Sequence, residues 1–258
     1  MSVPLDFAFG SGKTGMTYVF VVKGSMLVEL RSSYFPHEKK WYVTPGQERL
    51  NAGDVGGPFP RPAARACFLC HAVTLPDDTV TPQARFYGVG CESCHGPGSS
   101  HIAVIRAGGS SETLMESMES WSGTRVNELC GKCHGTEAEA REQHLSSEMT
   151  TRLQAVGLAR SQCFKQSKDT LSCITCHDPH TNVGANARIY ESVCLTCHSG
   201  STRSRRPPAL RLLTIRSCPV NQRAGCIACH MPKRPAITSS KIPTYMSDHL
   251  IRVFSKSR

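Results

Sequence analysis

Cys173-Ile-Thr-Cys176-His177-Asp178-Pro179-His180 is the stretch whose reading decides how this chain folds. Its first five residues have the form Cys-x-x-Cys-His. The form recurs as Cys67-Phe-Leu-Cys70-His71, Cys91-Glu-Ser-Cys94-His95, Cys130-Gly-Lys-Cys133-His134, Cys194-Leu-Thr-Cys197-His198 and Cys226-Ile-Ala-Cys229-His230. Random placement at this composition would give roughly 0.03 such motifs. A zinc site built from Cys-x-x-Cys pairs needs four ligands per metal and gives no reason for a His after every second Cys. A thioredoxin-like dithiol expects one pair beside a βαβ pattern, which is absent. The pattern reads instead as covalent haem attachment, in which two thiols add across the vinyl groups on one porphyrin edge and the next residue presents its imidazole to the iron. Six covalently bound c-type haems are therefore expected, with His71, His95, His134, His177, His198 and His230 as proximal iron ligands.

Composition agrees with a cofactor-built interior. The 258 residues could bury a full core, yet only 7% are aromatic, with 21 Gly and 16 Pro. About 43 residues are available per motif, so the expected fold is mainly α and irregular, with low secondary-structure content, wrapped around stacked haems. Haem should be a folding requirement, as metal is for small metallodomains. The formal charge of +10 would ordinarily suggest nucleic acid or an anionic membrane. Counting about −1 per bis-His ferric haem with two propionates brings the balance to roughly +4. Part of the Arg and Lys excess then pairs propionates, no nucleic acid is expected as a partner, and the Arg-rich stretch Arg203 to Arg211 reads as a solvated loop or docking patch.

The opening Met1 to Gly10 has no basic segment followed by a long apolar one, so no signal peptide is visible. Haem is attached to this motif outside the cytoplasmic membrane, so a periplasmic or extracellular location is expected. The sequence is then expected to be a processed form, a fragment or a chain with a misassigned start. No apolar run approaches the roughly 20 residues of a membrane span.

Along the chain, residues 1–60 read as a haem-free, β-rich cap. Thr17 to Val22 and Met26 to Arg31 predict a hairpin around Lys23-Gly24-Ser25, followed by the turn-rich Tyr34-Phe-Pro-His37 and Trp41-Tyr-Val-Thr-Pro45-Gly46. Gly53 to Arg61 is punctuated by Gly and Pro and marks a boundary. A three-motif cluster spans 61–135, a linking helix 136–165, and a second three-motif cluster with the C-terminal tail 166–258, the whole expected to form one haem-cored unit. Leu145, Met149, Leu153 and Val156 recur at helical spacing and predict a helix from Thr136 to Ala159, and Leu114, Met118 and Trp121 predict a shorter one over Glu112 to Trp121. Motif starts are separated by 24 and 39 residues in the first cluster and 21 and 32 in the second, so a duplication is only faintly visible.

Five histidines, His37, His101, His144, His180 and His249, lie outside the motifs and are candidate distal ligands. His180 is three residues from His177, and three residues reach at most about 11 Å. That reach does not carry the chain around a macrocycle, so His180 should serve a neighbouring haem. His101, six residues after His95, falls under the same reasoning less tightly. Five imidazoles cannot complete six haems, which leaves one iron with Met, another ligand or an open position. Cys163 and Cys218 belong to no motif; a disulfide and two separate buried thiols are the alternatives.

Gly88-Val-Gly-Cys91-Glu-Ser-Cys94-His95-Gly-Pro-Gly-Ser-Ser-His101, Leu171-Ser-Cys173-Ile-Thr-Cys176-His177-Asp-Pro-His180 and Cys226-Ile-Ala-Cys229-His230-Met-Pro-Lys233 with Asp248-His249 resemble the multihaem cytochromes related to nitrifier cytochrome c-554. Some members of that group are fused to tetratricopeptide repeats. The resemblance covers most of the chain, including Gly10-Ser-Gly and Tyr34-Phe-Pro-His37. It implies bis-His haems in closely packed pairs, with His101, His180 and His249 as distal ligands of haems other than their own. Relatives carry a His after Gly-Ser-Gly where this chain has Lys13-Thr14-Gly15, and often a further motif upstream, which leaves the ligation of one haem open.

The function expected from these readings is electron transfer along closely packed haems, with redox proteins as partners. No acid-base pair or substrate pocket is evident, so the chain is not expected to be an enzyme. The two alternatives are a subunit of a conductive filament or larger multihaem complex, and an oxidoreductase in which one open haem is catalytic.

Overall fold

A computed structural model of the chain describes residues 4–22, 26–110, 114–146, 149–198, 218–221, 223–236, 242 and 244–254. The turn at Lys23-Gly24-Ser25 and the stretch Arg203 to Arg211 lie outside the described residues. The chain divides into two compact units, Met1–Glu116 with Ser240–Ile242, and Ser117–Ser239 with Pro243–Arg258.

The first unit opens with β1 (Phe7–Phe9), β2 (Thr17–Val22), β3 (Met26–Leu30), β4 (Ser32–Phe35), β5 (Lys40–Val43) and β6 (Gly56–Pro58). The expected hairpin is β2 paired antiparallel with β3, and it is the centre of a four-stranded sheet in the order β1-β2-β3-β6; β4 and β5 form a second hairpin. The β-branched and aromatic sequence of β2 suits a sheet buried on both sides. Phe7 and Phe9 lie two apart and so share one face. With Val19 and Leu27 they pack against Ala64 of the first helix, α1 (Arg61–His71). A single turn of 3-10 helix (Ala84–Phe86), α2 (Glu92–His95) and α3 (Ser99–Arg106) complete the unit.

The second unit contains α4 (Gly123–His134), α5 (Glu137–Glu142), α6 (Gln154–Arg160), α7 (Gln162–Gln166), α8 (Cys173–Cys176), α9 (Ala187–His198), α10 (Cys226–His230) and a hairpin of β7 (Lys233–Pro235) with β8 (Tyr245–Ser247). Among the described residues its buried apolar side chains include Val126 of α4 and Ala155, Val156 and Leu158 of α6. The buried Asn127 ties these helices together, its Nδ2 donating to the carbonyl of Ala155 at 3.0 Å. Although the third motif is grouped by chain spacing with the first two, α4 carries it into this unit, against α6 and α8.

Two expected helices take other forms. The stripe over 136–159 is split into α5 and α6. Leu145 donates its amide to Ala140 and His144 to Arg141, and His144 has φ 51; this pair of bonds around a left-handed residue is a Schellman stop. Over 114–121 the chain makes bends and a turn, because Glu116 uses its backbone elsewhere, donating its N–H to the carbonyl of His95 at 3.1 Å. The low secondary-structure content is as expected, and the N-terminal β region is larger than a single hairpin.

Candidate haem-attachment site

All six motifs end a helix. His71, His95, His134, His198 and His230 are the last residues of α1, α2, α4, α9 and α10, and His177 caps α8. On a helix, positions i, i+3 and i+4 share a face, so each motif turns its two thiols and its imidazole to one side. In two motifs the residue after the His is a glycine in the left-handed region, Gly96 at φ 72 and Gly135 at φ 86. That conformation stops the helix without a Cβ penalty.

Three of the motif imidazoles are held in one tautomer. The carbonyl of Glu116 accepts from Nδ1 of His95 at 2.6 Å, and that of Arg252 accepts from Nδ1 of His230 at 3.0 Å. Gln154 Oε1 accepts from Nδ1 of His134 at 3.2 Å. A proton fixed on Nδ1 leaves the Nε2 lone pair for a metal, the arrangement that orients histidine ligands. None of the acceptors is near its histidine in sequence, so sequence reasoning missed them.

Around the first motif, Phe68 of α1 meets Phe7 and Phe9 edge-on at 5.1 and 5.0 Å, and Phe9 stands 5.4 Å from the His71 ring. Desolvation lowers the His71 pKa. The His71 carbonyl accepts from Gly88 at 2.8 Å, which brings the approach to the second motif alongside the end of the first.

In the second unit the helices that carry successive motifs pack on one another, α4 on α8, α8 on α9 and α9 on α10. Cys130 and Cys173 share a hydrogen bond that, between free thiols, pulls Cys130 down to about 7 and pushes Cys173 up. Asn127 Oδ1 accepts from Cys173 at 3.1 Å. Cys194 is within electrostatic reach of Cys226 and of Cys176, and burial pushes its thiol up to about 12. Glu191 is buried on α9 and accepts from the amide of Ile227 at 3.3 Å, which fastens the sixth motif to the fifth.

The non-motif histidines are spread widely. His37 is exposed in the turn between β4 and β5, His101 is half-buried on α3, His144 is the exposed helix stop, and His180 is exposed with Nδ1 donating to Asp178 at 3.1 Å. His249 is half-buried, donates from Nδ1 to the carbonyl of Ser247 at 3.0 Å, and sits beside His177. Desolvation lowers the pKa of both His177 and His249, with neighbouring imidazoles adding to the shift. Cys163 and Cys218 are free thiols and form no disulfide; Cys163 touches Ser161 and lies near Cys197, whereas Cys218 accepts from the amide of Asn221.

These residues fit covalently bound haem. Thiols and imidazole converge on one helical face, the tied imidazoles present Nε2, and aliphatic side chains in and beside the motifs stand in the open, Leu69 61% and Val89 70% exposed. Such surface calls for an apolar cover. Among the described residues, no three His, Cys, Asp or Glu side chains gather as the ligands of a bare metal ion, and no helix is long and apolar enough to cross a membrane.

Six Cys-x-x-Cys-His motifs that each end or cap a helix are the attachment pattern of multihaem c-type cytochromes. Residues 36–96 match the family model for cytochrome c554 and c-prime. No curated protein matches by sequence. Two solved structures are similar: the undecahaem cytochrome from the S-layer of Carboxydothermus ferrireducens (18% identity, TM-score 0.41, 76% of this chain and 36% of that one) and the outer cell wall cytochrome OcwA (16% identity, TM-score 0.45, 95% and 66%). The chain thus spans about a third of the first and two thirds of the second.

Proposed function

We propose that the chain carries six c-type haems, most of them bis-His ligated, and passes electrons along them in a periplasmic or extracellular setting, to redox proteins or further multihaem subunits. The observation that carries this reading is the packing of successive attachment helices in the second unit, α4 against α8, α8 against α9 and α9 against α10. Attachment helices packed in this order would hold four macrocycles as neighbours. Bound haem supplies a one-electron iron couple, whose potential is set by axial ligands, hydrogen bonding and burial.

The chain's residues supply the rest. The motif thiols fix each ring's edge, and the carbonyls of Glu116 and Arg252 aim His95 and His230. Arg160, Lys165 and Arg252 line a cleft of about 310 Å³ with Leu250 and Ile251, a lining suited to propionate carboxylates. The test is a haem-to-protein ratio with a low-temperature electron paramagnetic resonance spectrum, followed by mixing the reduced protein with a soluble oxidised acceptor. Six haems, dominant low-spin signals and delivery of six electrons are expected. Absence of covalent haem would overturn the reading, and a high-spin centre that turns over a small oxyanion would replace it with the oxidoreductase alternative.

A further inference from the structure

We infer that His249 is the distal ligand of the haem held by Cys173 and Cys176, so that His177 and His249 bind one iron from opposite faces. This rests on the haem reading above and assigns one iron's two ligands within it. The ring centres of His177 and His249 are 6.2 Å apart, with planes inclined by 34°. Two imidazoles on opposite sides of a metal, each with a metal–nitrogen bond of about 2.0–2.1 Å and about 1.1 Å more to its ring centre, stand about 6.3 Å apart. An imidazole donating directly to another, with nitrogens about 2.9 Å apart, would bring the centres to about 5 Å. The observed separation matches the metal-bridged value and exceeds the hydrogen-bonded one. Because both ring planes contain the metal–nitrogen axis, any inclination between them is allowed.

His249 is built to hold that position. Its Nδ1 donates to Ser247, which leaves Nε2 for the iron. The preceding Asp248 is buried, forms an ion pair with Arg234 at 3.2 Å and accepts from the amide of Leu250 at 2.9 Å. On the other side Gly157 of α6 is so close that a Cβ there would stand 3.0 Å from the backbone of His249 and Leu250. The segment is thus clamped from both directions without help from a cofactor. Two nearby histidines do not compete: His180 is too near His177 in sequence to reach the far face, and His134 ends its own motif with Nδ1 committed to Gln154.

The test uses the haem-loaded protein. His249→Ala should keep six haems per chain and gain one high-spin ferric signal, which added imidazole removes. His249→Met should keep the fold and the low-spin count and raise the potential of one haem. In nuclear magnetic resonance spectra of the reduced His249→Met protein, the introduced ligand methyl should show contacts to the haem attached at Cys173 and Cys176. A His249→Ala protein with six haems and no new high-spin signal, or methyl contacts to a different haem, would overturn the assignment. A chain that carries no covalent haem would instead fail the underlying reading, so the two failures are told apart by the haem count.

Discussion

The ion pair next to His249 gives the most quantitative handle on the C-terminal segment. The Asp248 side chain is 2% exposed; its Oδ1 accepts from the Leu250 amide at 2.9 Å, and its Oδ2 forms an ion pair with Nε of Arg234 at 3.2 Å without hydrogen-bond alignment. Arg234 is 30% exposed and also lies over the Phe254 ring at 5.0 Å. Asp248→Ala removes a hydrogen bond to a charged group, about 1.5–3 kcal/mol, and leaves a guanidinium without its partner. Breaking a fully dry pair costs about 3–5 kcal/mol; since Arg234 keeps contact with water, the total is expected near the lower end, about 3 kcal/mol. Asp248→Asn keeps an acceptor for Leu250 and should cost about 1–2 kcal/mol. The assay is denaturant unfolding of the haem-loaded protein, with Arg234→Gln and the double variant completing a cycle. A coupling energy of about 1 kcal/mol or more is expected, and a value inside the additive range of about 0.3–0.5 kcal/mol would refute the reasoning that this pair clamps the segment.

Gly123→Ala offers a test of sign. Alanine inside a helix ordinarily gains about 0.5–1 kcal/mol over glycine, but a Cβ at Gly123 would collide with the carbonyl oxygen of Leu171, so a loss of about 3 kcal/mol is expected in the unfolding midpoint. Asp169→Asn probes the cap on α4: the Asp169 carboxyl is held below its usual range by hydrogen bonds from Thr124 and Ser122. A depressed carboxyl stabilises the fold above its unfolded pKa of about 3.9 and loses that contribution as pH falls through the folded value. The parent should therefore exceed the variant in thermal stability at pH 7, with the gap closing below about pH 4; a gap independent of pH would remove the charge from the explanation. The double variant Cys163→Ala with Cys218→Ala should leave the haem-to-protein ratio unchanged, and a lost haem by mass spectrometry would show that a non-motif thiol takes part in attachment.

Much of the attachment chemistry was legible because it is local. Cys-x-x-Cys-His places its three functional atoms on one helical face by spacing alone, and the six motifs do end or cap helices. The pairing of β2 with β3 followed from an equally local signal, two strand-like apolar runs a few residues apart. Local patterns misled where backbone groups found better partners. The stripe from Leu145 to Val156 promised one helix, but His144 in the left-handed region closes α5 after Glu142, and the stretch before Trp121 gives the Glu116 backbone to His95. Other features belong to tertiary structure: the carbonyls of Glu116, Arg252 and Ser247 that set the imidazole tautomers, the packing of the third motif against the fourth, and the place of His249 beside His177. Thioether attachment needs only residues a helical turn apart and is written in the sequence. The far side of an iron must be reached by chain from beyond the macrocycle, so only the folded arrangement decides which histidine arrives there.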